Sequence, residues 1–269
     1  KYQKYDLIEI HNRPVILEEL VKKIKSRYIM YFHNDPLSMN GSKTINQRLN
    51  IISNVEKVVF VSEWTQKRFF VDIDDKLKTK TEVVYPSVKI KKRLSKKKNF
   101  ITFIGKLNRS KGYDLFAKVI VKILNEFSNW EAYSLGDEER REIYINHKNH
   151  HELGFLKHKD VLELLDKTSI SVVPSKWEEP FGRTALEASS RGCATIISNK
   201  GGLPETTNQA IVLKNLNEET LYRQIRYLIK NKKIRKNIQK NSLKNVQHII
   251  SSNTKIIDRL RLESLPYSN

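Results

Sequence analysis

The sequence is poor in cysteine, in acidic residues and in long apolar runs, and each shortage excludes something. The single cysteine, Cys193, excludes an internal disulfide and favours a reducing compartment. Because Cys193 lies where a predicted apolar strand begins, we interpret it as a buried small side chain rather than a nucleophile. No stretch of about 18 apolar residues and no signal peptide is visible, so no membrane-spanning segment is predicted.

The shortage of acidic residues leaves a formal net charge of +20, from 50 lysines and arginines against 30 aspartates and glutamates. Most of the lysine is scattered, with concentrated runs only at 89–98 and 229–240, which is typical of a solvated surface. Basic residues are not interleaved with aromatic ones, so no nucleic-acid partner is predicted. Such a surface would attract phosphorylated donors and anionic lipid. We therefore predict a cytoplasmic protein with peripheral contact to an anionic membrane on its cytoplasmic face.

Spacing typical of a metal site is also lacking. The nominal D-x-D at Asp72-Ile73-Asp74 follows a predicted helix rather than a strand, so we interpret it as a solvated turn. No other carboxylate or histidine cluster has the spacing of a metal site, and no metal is predicted.

The sequence does contain two series of apolar runs that alternate with helical patterns, which predicts α/β domains with parallel, doubly wound sheets. With 269 residues and 39% hydrophobic content, the chain can bury a large core in one or two domains. In the first series, residues 1–86, the predicted strands are Tyr5–Ile10, Tyr28–Phe32, Lys57–Val61 and Glu82–Tyr85. The predicted helices between them cover 14–27 and 43–54, with a short third helix capped by Ser62.

The basic segment 87–98 has no helical or strand period and is interpreted as a linker. A second domain is predicted over 99–252 and a helical tail over 253–269. The predicted strands of the second domain are Phe100–Ile104, Trp130–Leu135, Leu153–Phe155, Ile170–Val173, the run after Gly192, and Ala210–Leu213. Its predicted helices are Tyr113–Phe127, a charged helix from about 138 to Asn149, Val161–Leu165, one after Phe181, and the chain from Asn217 onward.

The stretch Ser171–Glu205 organises the second domain. Glu179 lies in the loop that enters a predicted helix, and Glu187 lies one to two turns inside that helix. A helix N-terminus favours an anion, and Gly182 would let a phosphate approach the backbone there. A carboxylate deeper in the helix can accept hydrogen bonds from sugar hydroxyls. The stretch therefore predicts a nucleotide diphosphate site with glutamates near its sugars.

Two glutamates at this spacing are common on surface helices. Here they stand between a buried strand and the loop Gly201-Gly202-Leu203-Pro204-Glu205, and they enclose Pro180-Phe181-Gly182. In this company they resemble the E-x7-E motif of retaining, family 4 glycosyltransferases with the GT-B fold. The resemblance implies two facing Rossmann-like domains, the first incomplete here. It also implies metal-independent sugar transfer, with retention, from a UDP-, GDP- or ADP-sugar to a glycan or lipid-linked acceptor. No other cofactor is implied.

The resemblance assigns roles to the residues of this stretch. Glu179 would hold hydroxyls of the transferred sugar, and Glu187 would hold the ribose. The remaining donor-binding residues of the stretch are Phe181, Gly182 and Arg183 at the helix entry and Gly201 and Gly202 in the following loop.

The loop after the first strand of the second domain, residues 105–112, is bounded by Gly105 and Gly112 and carries several cations. It resembles the family motif G-R-L-x-x-x-K-G, which implies that Lys106 and Lys111 neutralise the donor diphosphate. The family commonly has arginine where this chain has Lys106, and Arg109 is the alternative first cation.

Two further residues receive roles from the resemblance. Phe155, in Gly154-Phe155-Leu156, matches a turn whose backbone receives the nucleotide base. His33, at the end of the second strand of the first domain, matches a histidine near the sugar of the donor; His11, one strand earlier, has less support.

The chain begins at Lys1, and no strand with a glycine-rich loop precedes Tyr5, although a GT-B first domain normally begins with both. We therefore expect a fragment that binds nucleoside diphosphate through residues 100–213 and transfers sugar poorly. The alternatives left open are a nucleotide-sugar epimerase or phosphorylase with the same architecture and, less favoured, a basic nucleic-acid-binding module.

Overall fold

In the part of the chain that the computed structural model describes, ten strands form two sheets, and every strand pair there is parallel. The structure describes residues 5–91, 93–139 and 142–265, apart from the side chains of 247–252 and 254. The chain divides into unit 1, Lys1–Ser87 with Ile249–Asn269, and unit 2, Val88–His248. The predicted α/β class with two parallel sheets is confirmed.

Unit 1 has a four-stranded sheet in the order β1-β2-β3-β4. Its strands are β1 Leu7–His11, β2 Arg27–Phe32, β3 Lys57–Phe60 and β4 Thr81–Val83. The helices between them are α1 Pro14–Lys23, α2 Ile45–Asn54 and α3 Glu63–Phe69. Pro14 stands at the first position of α1, where its missing N–H costs nothing, and the Ser62 hydroxyl caps α3 by accepting from Thr65 N–H at 3.0 Å.

Apolar side chains cover β2 on both faces, as expected for a central parallel strand. Met30 and Phe32 join a core formed with α2 and α3 residues. Ile29 and Tyr31 point to the opposite face, where Leu260 of the last helix packs. The last helix, α8 Lys232–Ser264, therefore contributes its first part to unit 2 and its last part to unit 1.

Unit 2 has a six-stranded sheet in the order β7-β6-β5-β8-β9-β10. Its strands are β5 Phe100–Ile104, β6 Glu131–Leu135, β7 His150–Glu152, β8 Ile170–Val173, β9 Ala194–Ser198 and β10 Ile211–Leu213. Its helices are α4 Tyr113–Glu126, α5 His158–Lys167, α6 Arg183–Ser190, α7 Glu218–Lys230 and the start of α8. This is the Rossmann order 3-2-1-4-5-6, which reverses direction between β5 and β8.

Within the segment predicted as a linker, Ser87 belongs to unit 1 and the residues from Val88 onward belong to unit 2. Lys97 donates its ammonium to Leu165 O at 2.9 Å and to Arg191 O at 2.6 Å, and Leu94 packs on Gly192. These contacts attach the segment before β5 to unit 2. The residues from Ile249 onward are part of unit 1.

The charged helix predicted to end near Asn149 is wrong. Residues 137–139 and 142–149 are not helical, and the two residues between them lie outside the described chain. Ile143 and Ile145 pack against the core of unit 2, whereas Tyr144 between them is exposed. This alternation has the period of extended chain. The strand predicted at Leu153–Phe155 is displaced: β7 covers His150–Glu152, and Gly154 after it has φ 62°.

Cys193 is fully buried in unit 2, and its thiol donates to Leu165 O at 3.3 Å. Burial raises the pKa of the Cys193 thiol, which disfavours the nucleophilic thiolate. The interpretation of Cys193 as a structural residue is consistent with this environment. Among the described helices, none combines the length and apolar sequence that a bilayer-spanning segment needs.

Candidate functional site

A small cavity of about 70 Å³ lies at the carboxyl ends of β5 and β8, where the order of the unit 2 sheet reverses. The loops that follow these strands form it, together with the start of α6. Its polar and glycine lining comes from Gly105, Lys111, Ser175, Glu179, Gly182, Arg183 and Thr184. Such a crevice is where open α/β sheets bind ligands.

Lys111 and Glu179 form the ion pair of this cavity. The Lys111 Nζ donates to Glu179 Oε1 at 2.6 Å, and the Glu179 side chain is 13% exposed. The two residues are far apart in sequence, and only the adjacency of β5 and β8 brings them together. A cation and an anion side by side in a shielded cavity can bind two neighbouring groups of one ligand. The cation can donate to a phosphate, and the carboxylate can accept from hydroxyls.

The loop after β5, residues 105–112, is built closely against the loop after β8. Gly112 has φ 74°, and a Cβ there would stand 1.9 Å from Pro174 O. Ser110 O accepts hydrogen bonds from the N–H groups of Lys176 at 2.9 Å and Trp177 at 3.0 Å. The glycine at 112 is therefore required by the close approach of two loops as well as by its backbone conformation.

Helix α6 points its N-terminus into the cavity. Gly182 precedes it with φ 104°, a conformation that favours glycine, and a Cβ there would stand 2.4 Å from Leu203 Cδ2. Arg183 begins the helix with its side chain mostly exposed, and both Arg183 and Thr184 line the cavity. The first N–H groups of a helix have no acceptor within it and are available to an anion. The N–H group of Ala185 already donates to Gly182 O at 3.0 Å, so the groups that precede it are the ones available here.

Glu187, one turn further along α6, is 8% exposed. Its Oε1 lies 3.1 Å from His158 Nε2 and 3.6 Å from Arg183 Nη2. These two partners hold a carboxylate that would otherwise be costly to bury. His158, at the start of α5, was missed in the sequence because a lone histidine has no spacing pattern that links it to Glu187.

The loop after β9 is locked onto Glu179. Gly202 N–H donates to Glu179 O at 2.7 Å, and a Cβ at Gly201, where φ is 57°, would stand 2.1 Å from the same oxygen. The Glu178 carboxylate accepts from Gly201 N–H at 2.6 Å and from Lys200 Nζ at 2.9 Å. Glu178, which has no role among the residues predicted from the sequence, thus helps to position Glu179.

Four residues predicted to bind the donor, Lys106, Arg109, Phe155 and Phe181, are not among the residues that line this cavity. The Lys106 side chain is exposed, and Arg109 pairs with Glu142 at 3.4 Å, beside a separate cavity. Phe155 is 79% exposed after a turn at Gly154, and Phe181 is buried at 4% exposure. The side chain of Phe181 therefore contributes to the packing of the α6 entry. Their roles toward a donor stay predictions.

His33 lies in unit 1 beside His11. The His11 Nδ1 is 2.9 Å from His33 Nε2. The His11 ring stacks with the Tyr31 ring and with the His33 ring. The Asn12 side chain, from a residue with φ 58°, accepts from the N–H groups of His33 and Asn34. Desolvation and the neighbouring His11 lower the pKa of His33, which favours its neutral form. The structure thus pairs both predicted histidines in one cluster of unit 1.

Within residues 5–91, 93–139 and 142–265, no group of three histidine, cysteine or acidic side chains is placed to hold a metal ion. Asp74 of the nominal D-x-D caps a short 3₁₀ turn by accepting from Lys76 N–H at 2.9 Å. The interpretation of this motif as a turn agrees with that position.

Comparison with known proteins adds family and fold. The family model "Glycosyl transferases group 1" matches residues 86–245, more than half of the chain. Spore coat protein SA of Bacillus subtilis is 24% identical over 242 residues, which cover 78% of this chain and 64% of that protein. A 41.2 kDa protein in the cps region of Klebsiella pneumoniae is 25% identical and covers 78% of this chain and 65% of its own length. The chain thus spans less than two thirds of these relatives.

The crystal structure of HepE from Anabaena in complex with UDP has a TM-score of 0.80 to this chain, at 17% sequence identity. The match covers 96% of this chain and 79% of HepE. HepE has also been solved with UDP-glucose. This likeness shows the fold, and the predicted GT-B fold class is confirmed.

Proposed function

This chain belongs to the glycosyl transferases group 1 family, and from that premise we propose that it transfers a sugar from a nucleotide-diphosphate-sugar donor to an acceptor. The donor is a UDP-sugar, and the reaction retains the configuration of the anomeric carbon. Unit 2 binds the donor at the carboxyl ends of β5 and β8.

The Lys111–Glu179 ion pair is the observation that supports this proposal most strongly. In a nucleotide-sugar the diphosphate and the sugar are adjacent. An ammonium and a carboxylate in hydrogen-bond contact are matched to that junction, with Lys111 toward phosphate and Glu179 toward sugar hydroxyls. The first turn of α6 adds N–H groups and Arg183 on the phosphate side, and Glu187 accepts from the ribose.

Departure of the diphosphate is the step at which Lys111 acts. Charge develops on the leaving phosphate as the glycosidic bond breaks, and a preorganised cation stabilises that charge. A double displacement would need a carboxylate under the anomeric carbon. We propose instead attack from the face of the leaving group, with the departing phosphate taking the acceptor proton. Lys106 supports Lys111 in stabilising the leaving phosphate. His33 is proposed to lie near the sugar of the donor, as the family resemblance implies.

The acceptor in this proposal is a cell-surface glycan or a lipid-linked saccharide. Relatives named for a spore coat and for a cps region favour surface polysaccharide chemistry. Transfer to a lipid-linked acceptor would use peripheral contact with an anionic membrane, which the net charge of +20 favours. The reaction is proposed to need no metal ion, since phosphate charge is met by Lys111 and the α6 N-terminus.

Calorimetric titration of the whole chain with UDP, GDP and ADP tests the donor site. We expect UDP to bind most tightly and with higher affinity than uridine, because Lys111 and α6 act on phosphate. Equal affinity for UDP and uridine would refute the phosphate site, and preference for GDP or ADP would refute the assigned base.

Product analysis tests the reaction. With UDP-glucose and a saccharide acceptor, we expect NMR to show retained anomeric configuration and activity that withstands EDTA. Inversion, or a loss with EDTA that a divalent ion restores, would contradict the mechanism. Conversion of the donor without acceptor would indicate an epimerase.

A further inference from the structure

A basic groove in unit 2 lies outside the donor site. It is a cavity of about 820 Å³ between the segment 93–97 and the first part of α8. Four exposed lysines follow one another along α8 at every fourth position, which places them on one helix face over about 18 Å. These four α8 residues are Lys232, Lys236, Lys240 and Lys244. Arg93 and Lys96, which are also exposed, lie across the groove from them.

The charge of this groove is not balanced within the described chain. Among the described residues that line it none is acidic, and the four lysines form no ion pair with described residues. Other exposed lysines do have such partners: Lys22 pairs with Glu18 at 3.0 Å and Lys118 with Glu218 at 2.9 Å. Since like charges at this helical spacing destabilise a helix, the arrangement is unfavourable unless an anion compensates it.

The composition of the groove indicates which anion. Lysine predominates over arginine, and an ammonium is a mobile point charge suited to a diffuse anionic surface rather than to bidentate recognition of one phosphate. No aromatic side chain lines the groove, so the stacking platform of single-stranded nucleic-acid sites is absent from its described lining. Leu94 is 41% exposed in the same segment and offers an apolar contact.

We propose that the basic groove is the surface by which this chain binds an anionic lipid membrane, through the phosphates of lipid headgroups. The lysines add electrostatic attraction at about fivefold in affinity for each charge near the surface. Lys97 is not part of this attraction, because its ammonium is bound to two carbonyl oxygens inside unit 2. The proposal rests on the proposed function only for its purpose, since a lipid-linked acceptor would lie in that membrane.

The test is co-sedimentation of the whole chain with vesicles of phosphatidylcholine, with and without phosphatidylglycerol. The test variant changes Lys232, Lys236, Lys240 and Lys244 to glutamine, which keeps good helix propensity. The matched control changes Lys22, Lys67, Lys118 and Lys159 to glutamine, an equal loss of charge at exposed sites elsewhere. Circular dichroism and UDP binding serve as checks of folding, and they keep a failure here distinct from a failure of the donor site.

We expect binding only to vesicles that contain phosphatidylglycerol, and weaker binding as salt is added. The test variant should lose affinity on the order of several hundredfold, whereas the control should retain most of it. Equal losses in the two variants would overturn the proposal, because net charge alone would then explain binding. So would equal binding to both kinds of vesicle, or tight binding of a random RNA without binding to phosphatidylglycerol.

Discussion

The two loops that meet at the donor cavity differ in what they present to it. The loop after β8, residues 174–182, is held by backbone contacts: Glu179 O accepts from Gly202 N–H, and Gly201 lies directly against it. The loop after β5, residues 105–112, presents three cations, and among the contacts of the described residues Lys111 is the one that reaches a side chain of the cavity, Glu179. We call these the β8 loop and the β5 loop.

This difference separates two kinds of sequence signal. Gly201 and Gly112 are required by close approaches to the backbone of the β8 loop, at Glu179 O and Pro174 O, so these positions can be interpreted with little knowledge of side chains. Cations of the β5 loop are long and flexible, and their direction depends on acidic partners elsewhere in the chain. Substitutions of glycines that pack against a backbone should therefore act on folding, and substitutions of the β5 loop cations on phosphate binding.

The largest effect is expected for Gly201→Ala, which would place a Cβ 2.1 Å from Glu179 O. Overpacking adds to the strain of positive φ, so we expect a loss of about 2–5 kcal/mol in the free energy of unfolding. Gly154→Ala is the matched control, because Gly154 has φ 62° and no atom within 4 Å of its Cβ. It should lose only about 1–2 kcal/mol. Equal losses in denaturant titrations would show that the close approach to Glu179 does not matter.

Glu187→Ala comes next and acts on the ligand. Removing a hydrogen bond of the buried carboxylate to ribose should cost about 1.5–3 kcal/mol, or roughly 10–150-fold in UDP affinity. Glu163→Ala, on the exposed face of α5, is the control with the same change in charge. Calorimetry measures both. Unchanged UDP affinity in a folded Glu187→Ala protein would remove Glu187 from the site.

The β5 loop is graded by three alanine variants. Lys111→Ala should weaken UDP most, Lys106→Ala less, and Arg109→Ala least, because Arg109 pairs with Glu142 beside a different cavity. Each variant should affect UDP more than uridine, since the cations act on phosphate. The affinity ratio of UDP to uridine, measured by calorimetry, is the readout. A larger loss for Arg109→Ala than for Lys111→Ala would reverse the assignment of the phosphate clamp.

Much of the fold and part of the site could be predicted from the sequence for a shared reason. Strands such as Phe100–Ile104 and the run of Gly182, Glu179 and Glu187 are local patterns, visible within a few residues. The contact of Lys111 with Glu179, by contrast, spans 68 positions. It is created by the order of strands in the sheet, so it is not visible in the local sequence.

Other parts could not be read locally. His158 contacts Glu187 although the two residues are 29 positions apart, and no sequence spacing predicts this contact. Phe181, which was predicted to bind the donor, is buried at the α6 entry, and its role toward a donor stays a prediction. The false helix after Gly136 had an equally physical cause, since its many charged residues favour helix in isolation while Ile143 and Ile145 face the core at a period of two.

The smallest effect concerns the end of the sheet in unit 1. Because the pKa of His33 lies below its ordinary value of 6.5, the unfolded chain binds more protons than the folded one just below that pH. Stability should therefore rise with pH up to about 6.5 and then level off with respect to this group. His33 is exposed, so the slope is small. Thermal unfolding across this range should be flatter for His33→Gln than for the parent, and an unchanged slope would exclude His33 as its source.

The most direct test of the roles proposed for the Lys111–Glu179 ion pair is UDP and UDP-glucose titration of three proteins: the parent, Lys111→Ala and Glu179→Gln. Lys111 is assigned to phosphate and Glu179 to the sugar, although the two side chains are in contact at 2.6 Å. Lys111→Ala should weaken UDP by about tenfold or more. Glu179→Gln should leave UDP affinity unchanged or higher, because the ammonium is released from its carboxylate, and should weaken only UDP-glucose. Equal weakening of UDP by both variants would contradict the division of roles at this ion pair.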